Sequence, residues 1–133
     1  MSRSGYSDDC DNVALWRQAV ARATLGRRGQ ALLHEMLTAL DALPEQRLIS
    51  GDLINAEGEC CALGAVACLR NADVAHVDPA DREQLGEMFG VAPALAAEIM
   101  YLNDERGPAQ ETPEERFQRM RQWLLAAVGS GTE

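Results

Sequence analysis

The chain contains no lysine: all 12 of its basic residues are arginine. A phosphate-gripping loop of the G-x-x-x-x-G-K form is therefore excluded, because its lysine cannot be supplied. The all-arginine usage itself reads most simply as the mark of a GC-rich coding sequence. Aromatic residues make up only 5% of the chain against 47% apolar residues overall. That balance excludes an aromatic-rich strand sandwich and points to Ala- and Leu-rich helix packing. No uninterrupted apolar run reaches the ~18 residues of a membrane-spanning helix. The opening M-S-R-S-G-Y-S-D-D has no apolar centre, so it is no signal peptide, and a cytoplasmic protein with a flexible tail over residues 1–10 is expected. There are only two histidines, His34 and His76, and neither falls in a motif with Ser, Cys or Asp. A Cys-x-x-Cys or His-x-x-x-His pair is missing too, which removes the usual signature of a zinc site. No metal or cofactor is expected.

What is present is acid, unevenly spread. The formal charge of −9 breaks into −2 over residues 1–72, −9 over residues 73–115 and +2 over residues 116–133. Duplex DNA carries one negative charge per ~1.7 Å of axis, and binding to it rests largely on cations. The middle of the chain would be repelled. Its acids suit either a solvated face that keeps the protein soluble or a surface that meets a basic partner.

At 133 residues the chain is long enough for one domain with its own core. The spacing predicts a single, mainly α bundle of five to six short helices over residues 11–128, followed by a frayed tail over 129–133. The first helix is capped by Asp11 or Asn12 and carries Trp16 and Val20 inward. Gly26-Arg27-Arg28-Gly29 then reads as a basic turn, either a solvated loop or a weak phosphate grip. A second helix presents Leu33, Met36, Leu37 and Leu40 and ends before Pro44. Glu45 to Glu59 is the least helical stretch, with room for at most a small hairpin between Leu48 and Cys61. The run C-C-A-L-G-A-V-A-C-L that follows reads as a buried helix. Its small-residue stripe, Cys61, Gly64, Ala65 and Cys68, would let another helix approach closely. Asp78-Pro79, Ala92-Pro93 and Thr112-Pro113 announce three more helices, the last with a Thr112/Glu115 capping box. Phe117, Met120 and Leu124 form the buried stripe of that last helix, and Leu63, Val66, Leu85, Phe89 and Ile99 complete the expected core.

Four cysteines, Cys10, Cys60, Cys61 and Cys68, make an even set. Without a secretory signal, free thiols are the expectation. Cys61 and Cys68 stand about two helical turns apart, beyond the ~7 Å reach of a disulfide. Useful catalysis would need a nucleophile beside a base, a metal set, or paired carboxylates in a cleft. Asn103-Asp104-Glu105 lacks the spaced oxygens of a calcium loop. The sequence is read as non-enzymatic.

The stretch Arg82 to Asn103, R-E-Q-L-G-E-M-F-G-V-A-P-A-L-A-A-E-I-M-Y-L-N, resembles a helix-turn-helix. Leu85 and Phe89 lie one turn apart, Gly90 stands at the turn, Val91 is the buried turn residue and Pro93 opens the second helix. That second helix carries A-P-A-L-A-A-E-I-M where a DNA reader carries Arg, Lys, Asn or Gln. More broadly, C-A-L-G-A (61–65), L-A-A-E-I-M-Y-L-N-D-E (95–105) and T-P-E-E-R-F-Q-R-M-R-Q-W-L (112–124) look similar to small uncharacterised proteins encoded by bacteriophages and prophages. That resemblance brings no catalytic residues. It implies a small phage accessory protein in the host cytoplasm, and phage proteins of this size and charge include inhibitors of host defence, anti-CRISPR proteins among them.

The resulting expectation is a non-catalytic protein that binds a basic host protein or nucleoprotein complex through Asp78, Asp81, Glu83, Glu87, Asp104, Glu105 and Glu111. No direct nucleic-acid contact and no membrane contact are expected. A homodimer is an arrangement the sequence allows. The alternative is a helix-turn-helix transcription regulator whose arginines approach DNA from elsewhere.

Overall fold

Six helices carry the regular structure of residues 10–130, the part of the chain described by this computed structural model. They are α1 (Cys10–Leu25), α2 (Arg27–Ala42), α3 (Ala62–Arg70), α4 (Arg82–Phe89), α5 (Pro93–Asp104) and α6 (Pro113–Ser130). The fold is mainly α, and the described residues contain no strand. Residues 1–9 of the expected N-terminal tail lie outside the described residues, and Cys10 belongs to α1 instead of the tail. At the other end α6 continues to Ser130, so only residues 131–133 of the expected C-terminal tail fall outside them.

Local chemistry sets most of the helix ends. Thr112 and Glu115 form the reciprocal capping box: Oγ1 of Thr112 accepts the Glu115 N–H at 3.1 Å, and the Glu115 carboxylate accepts the Thr112 N–H at 2.9 Å. α4 ends at Gly90, whose φ of +74° is left-handed and costs glycine little strain. α4 and α5 then meet at a 105° bend. Three boundaries differ from expectation. α1 already begins at Cys10, so Asp11 and Asn12 lie within the helix and do not cap it. Asp78 does not cap α4: Asp78 to Asp81 is a turn closed by the Asp81 N–H on the Asp78 carbonyl at 3.0 Å, and Asp81 is the cap. Arg27 to Gly29 is no loop but the first turn of α2. Gly29 is buried there, and the backbone of α1 comes so close that a Cβ at that position would overlap the Ala23 carbonyl.

The core is built by α2 to α6. Leu33, Met36, Leu40, Leu63, Val66, Leu85, Leu95, Ile99, Phe117, Met120 and Leu124 are all buried. Leu37 is only half-buried at its edge, so the inner face of α2 is rotated toward Leu32, Leu33, Met36 and Leu40. Trp16 and Val20 do not join the core cluster either, and α1 lies along its margin. Trp16 instead holds the Arg82 guanidinium 5.1 Å from its ring centre, tying α1 to α4.

α3 packs against α2 and α5, and at Gly64 its small-residue stripe also admits a loop. Between Leu48 and Cys61 there is one isolated antiparallel bridge, Ile54 with Cys60. The Asn55 N–H donates to the Glu59 carbonyl at 2.9 Å, and the Cys61 N–H to the Leu53 carbonyl at 3.0 Å. A side chain at Gly64 would collide with that same Leu53 carbonyl, so the glycine is what lets this loop lie flat on α3.

Candidate functional site

The seven acids expected to share one face divide into three groups. Asp78, Asp81, Glu83 and Glu87 lie on α4 and the turn leading into it, and all four are exposed. Two of them serve the backbone as well: an Asp78 oxygen accepts the Ala80 N–H at 2.9 Å, and an Asp81 oxygen accepts the Gln84 N–H at 3.1 Å. Asp73 closes the preceding turn in the same way, on the Ala75 N–H at 3.0 Å. Each keeps its charge toward solvent while fixing a turn or a helix start. Glu83 and Glu87 stand one turn apart, away from buried Leu85, Gly86 and Phe89. Arg82 is the only cation of α4, and its guanidinium is turned onto Trp16 of α1.

Asp104 and Glu105 form the second group, at the far end of α5. The 12 residues of that helix span ~18 Å, and α4 joins it at the opposite end. The acids of α4 and those after Leu102 therefore do not form one patch. Asp104 is half-buried and accepts from the Asn103 side-chain amide at 2.7 Å.

Glu111 belongs to neither group. Its side chain is 4% exposed, and Arg119 clasps the carboxylate with two bonds of 2.6 and 2.9 Å. Arg116 adds an ion pair at 3.4 Å. The Arg119 hydrogen bonds hold its carboxyl below the usual glutamate range, against the opposing effect of burial. Glu111 is thus corrected from a surface contact to an internal one: two arginines of α6 cover it, and no partner can reach it without displacing them.

That clasp is part of a larger polar junction. Arg119 also donates to the Leu102 carbonyl at 2.6 Å, and Arg116 to the Asn103 carbonyl at 3.0 Å and the Leu48 carbonyl at 3.0 Å. The last carbonyls of α5, which have no partner within the helix, are satisfied by guanidinium groups from α6. Asn103, 1% exposed, accepts the Ala62 N–H at the start of α3 at 3.1 Å and donates to the Ile49 carbonyl at 2.9 Å. One residue at the end of α5 so joins α3, α6 and the loop before α3. The signal for it lay in the sequence as a polar Asn closing an apolar run, L-N-D-E, with Arg116 and Arg119 three apart on a later helix.

The rest of the surface offers little chemistry. Both histidines are exposed. Among the described residues no three His, Cys, Asp or Glu side chains are grouped to hold a metal ion. A hollow of about 130 Å³ opens between Leu43, Pro44, Arg47, Glu57, Glu59 and Cys60. Its Arg47 is drawn to Glu59 at 3.2 Å and to Glu114 at 3.9 Å. α5 is covered along its length: Leu95, Ala96, Ala97, Glu98, Ile99, Met100, Leu102 and Asn103 are buried. No single helix among the described residues is long and apolar enough to cross a membrane. No protein-family model, curated protein or solved structure matches the chain.

Proposed function

We propose that the protein is a non-catalytic interaction module whose α4 face, Asp78, Asp81, Glu83 and Glu87, binds a basic surface on a host protein or nucleoprotein complex. The observation that carries this reading is the exposure of four carboxylates together while the one arginine of the helix is held on Trp16. Among the described residues no ion pair engages Glu83 or Glu87. An uncompensated face of this kind speeds association with a cationic partner and weakens with salt, because screening sets in over ~8–10 Å at moderate ionic strength. The resemblance to phage-encoded proteins makes an inhibitor of host defence, anti-CRISPR-like in its mode, the setting we favour.

The resemblance of α4, the Gly90 turn and α5 to a helix-turn-helix suggests a second reading, a DNA-binding regulator. Two observations weigh against it. A recognition helix must enter the major groove with polar side chains, whereas α5 is buried on most of its surface and apolar. The approach to that groove is lined by acids. The test is a pair of titrations at low salt, one against a random DNA duplex and one against a bacterial lysate passed over immobilised protein. Retention of a partner that is lost in salt, and lost in the Glu83→Arg/Glu87→Arg double variant, supports the interaction reading. Tight, salt-sensitive duplex binding overturns it in favour of the regulator.

A further inference from the structure

Cys60 and Cys68 are eight residues apart, a separation worth ~12 Å along a continuous helix. They do not lie on one helix. Cys60 belongs to the loop, in its bridge with Ile54, and the chain reverses at Cys61 so that the loop runs back along α3. The closeness of the approach depends on Gly64: a Cβ built there would stand 3.3 Å from the Cys60 Cβ and would overlap the Leu53 carbonyl. Cys68 follows Gly64 one helical turn later. The two sulfurs end 3.2 Å apart. A covalent S–S bond is ~2.05 Å, so closing the gap takes a movement of about 1 Å, within the range of side-chain adjustment.

The two thiols differ in access. Cys68 is exposed and Cys60 is buried. Burial, reinforced by the neighbouring Cys68, pushes the Cys60 thiol up to about 12, so it stays protonated. Cys61 is set apart: its sulfur is turned inward and accepts the Gly64 N–H at 3.4 Å as the cap of α3.

We propose that Cys60 and Cys68 form a dithiol site that is oxidised by hydroperoxides. The Cys68 thiolate attacks the peroxide oxygen; the O–O bond breaks, water or an alcohol leaves, and Cys68 becomes a sulfenic acid. The Cys60 sulfur then attacks the Cys68 sulfur, the S–O bond breaks, and the Cys60 proton departs with the hydroxide as a second water. Two thiols lose two electrons and two protons, and the peroxide takes up both. The product disulfide fastens the loop to the last turn of α3. From that turn Arg70 reaches the Glu35 carboxylate on α2 at 2.6 and 2.7 Å and the Met88 carbonyl on α4 at 3.2 Å. The site is independent of the acidic face of α4.

The test uses the full chain, reduced and then exposed to stoichiometric hydrogen peroxide, with thiols alkylated by one reagent before reduction and another after it. Trypsin leaves all three central cysteines on the single peptide 48–70, because Arg47 and Arg70 are its nearest cleavage sites. Fragmentation of that peptide then shows which sulfurs were linked. The expected result is an intramolecular Cys60–Cys68 bond, a mass lower by two hydrogens, and a higher Tm than the reduced protein, because the link constrains the unfolded chain. Cys60→Ser should leave Cys68 as a sulfenic acid trapped by a 1,3-dione, and Cys68→Ser should leave Cys60 and Cys61 as thiols at the same dose. Over-oxidation of Cys68 in the unaltered protein without a link to Cys60 would overturn the proposal. So would linkage through Cys10 or between two chains.

Discussion

Glu87 on α4 and Glu111 ahead of α6 are glutamates of the same acidic stretch, and the fold treats them in opposite ways. Glu87 is exposed on a short helix whose one arginine is occupied by Trp16. Glu111 is covered, and its two oxygens are bonded to Arg119 with Arg116 close by. The difference comes from Arg116 and Arg119 on the first turns of α6, which reach back over Glu111 and have no counterpart beside Glu87 among the described residues. A carboxylate within reach of guanidinium groups that must also satisfy helix-end carbonyls becomes part of the internal scaffold. One without such a group remains a surface charge. The acidic excess of residues 73–115 is therefore a mixture of internal and surface carboxylates, and α4 with the turn leading into it holds the largest exposed group.

The comparison is broken most severely at Glu111. Glu111→Ala leaves two half-buried guanidinium groups facing a void, and removing one member of a covered ion pair costs about 3 kcal/mol. Urea denaturation should show this as a lower midpoint, and a loss below 1 kcal/mol would mean that the junction is ornamental. Acid should act on the same place more gently. The folded Glu111 carboxyl titrates below its unfolded counterpart, chiefly through the Arg119 hydrogen bonds, and Glu35 does so through Arg70. Their contribution is fully present above the ordinary glutamate value of ~4.3 and is lost as pH falls through the depressed folded values. Stability followed by circular dichroism should accordingly fall on acidification below that range. In Glu111→Gln the fall should be shallower, because one of the two contributions has already been removed.

The ease with which these regions could be read from sequence differed for a physical reason. Helix existence, the Thr112/Glu115 box, the left-handed Gly90 and the buried stripe of α6 depend on residues within a few positions of one another. They are visible as spacing. The junction depends on Leu48, Asn103, Glu111, Arg116 and Arg119 meeting in space, and no local pattern encodes that meeting. Leu37 and Trp16 stand nearer the edge for a related reason: periodicity gives an apolar stripe but not which side of it is covered most deeply. The cysteines illustrate the same limit. Counting turns along α3 separates Cys61 from Cys68, and it was the loop folded back over Gly64 that brought Cys60 to Cys68 instead.

On the α4 side the effects on folding become small. Asp81→Ala removes the cap of α4 and should cost about 1 kcal/mol, readable as a modest drop in denaturation midpoint. Asp81→Asn should restore most of it, since the amide oxygen can still accept the Gln84 N–H while the charge is gone. That pair of variants separates the structural use of Asp81 from its electrostatic one: if Asp81→Asn were as unstable as Asp81→Ala, the hydrogen bond would not be what the residue supplies.

The smallest folding effect belongs to Glu83→Arg/Glu87→Arg, and it sharpens the comparison furthest. Glu83 lies in the first turn of α4, where the helix dipole favours an acid, and Glu87 lies in its last turn, where the dipole favours a cation. Reversing both loses a few tenths of a kcal/mol at one end and recovers about as much at the other. The two side chains remain a like-charged pair one turn apart, so that term does not change either. The net change in stability should stay within about 0.5 kcal/mol, as for most exposed substitutions. Each reversal changes the charge by two, so the pair takes the chain from −9 to −5. Association with a basic partner should slow, with a weaker dependence on salt, while circular dichroism and the denaturation midpoint hold steady. Unaltered association rates in a folded double variant would show that the α4 acids act only on solvent, and the binding role assigned to this face would be lost.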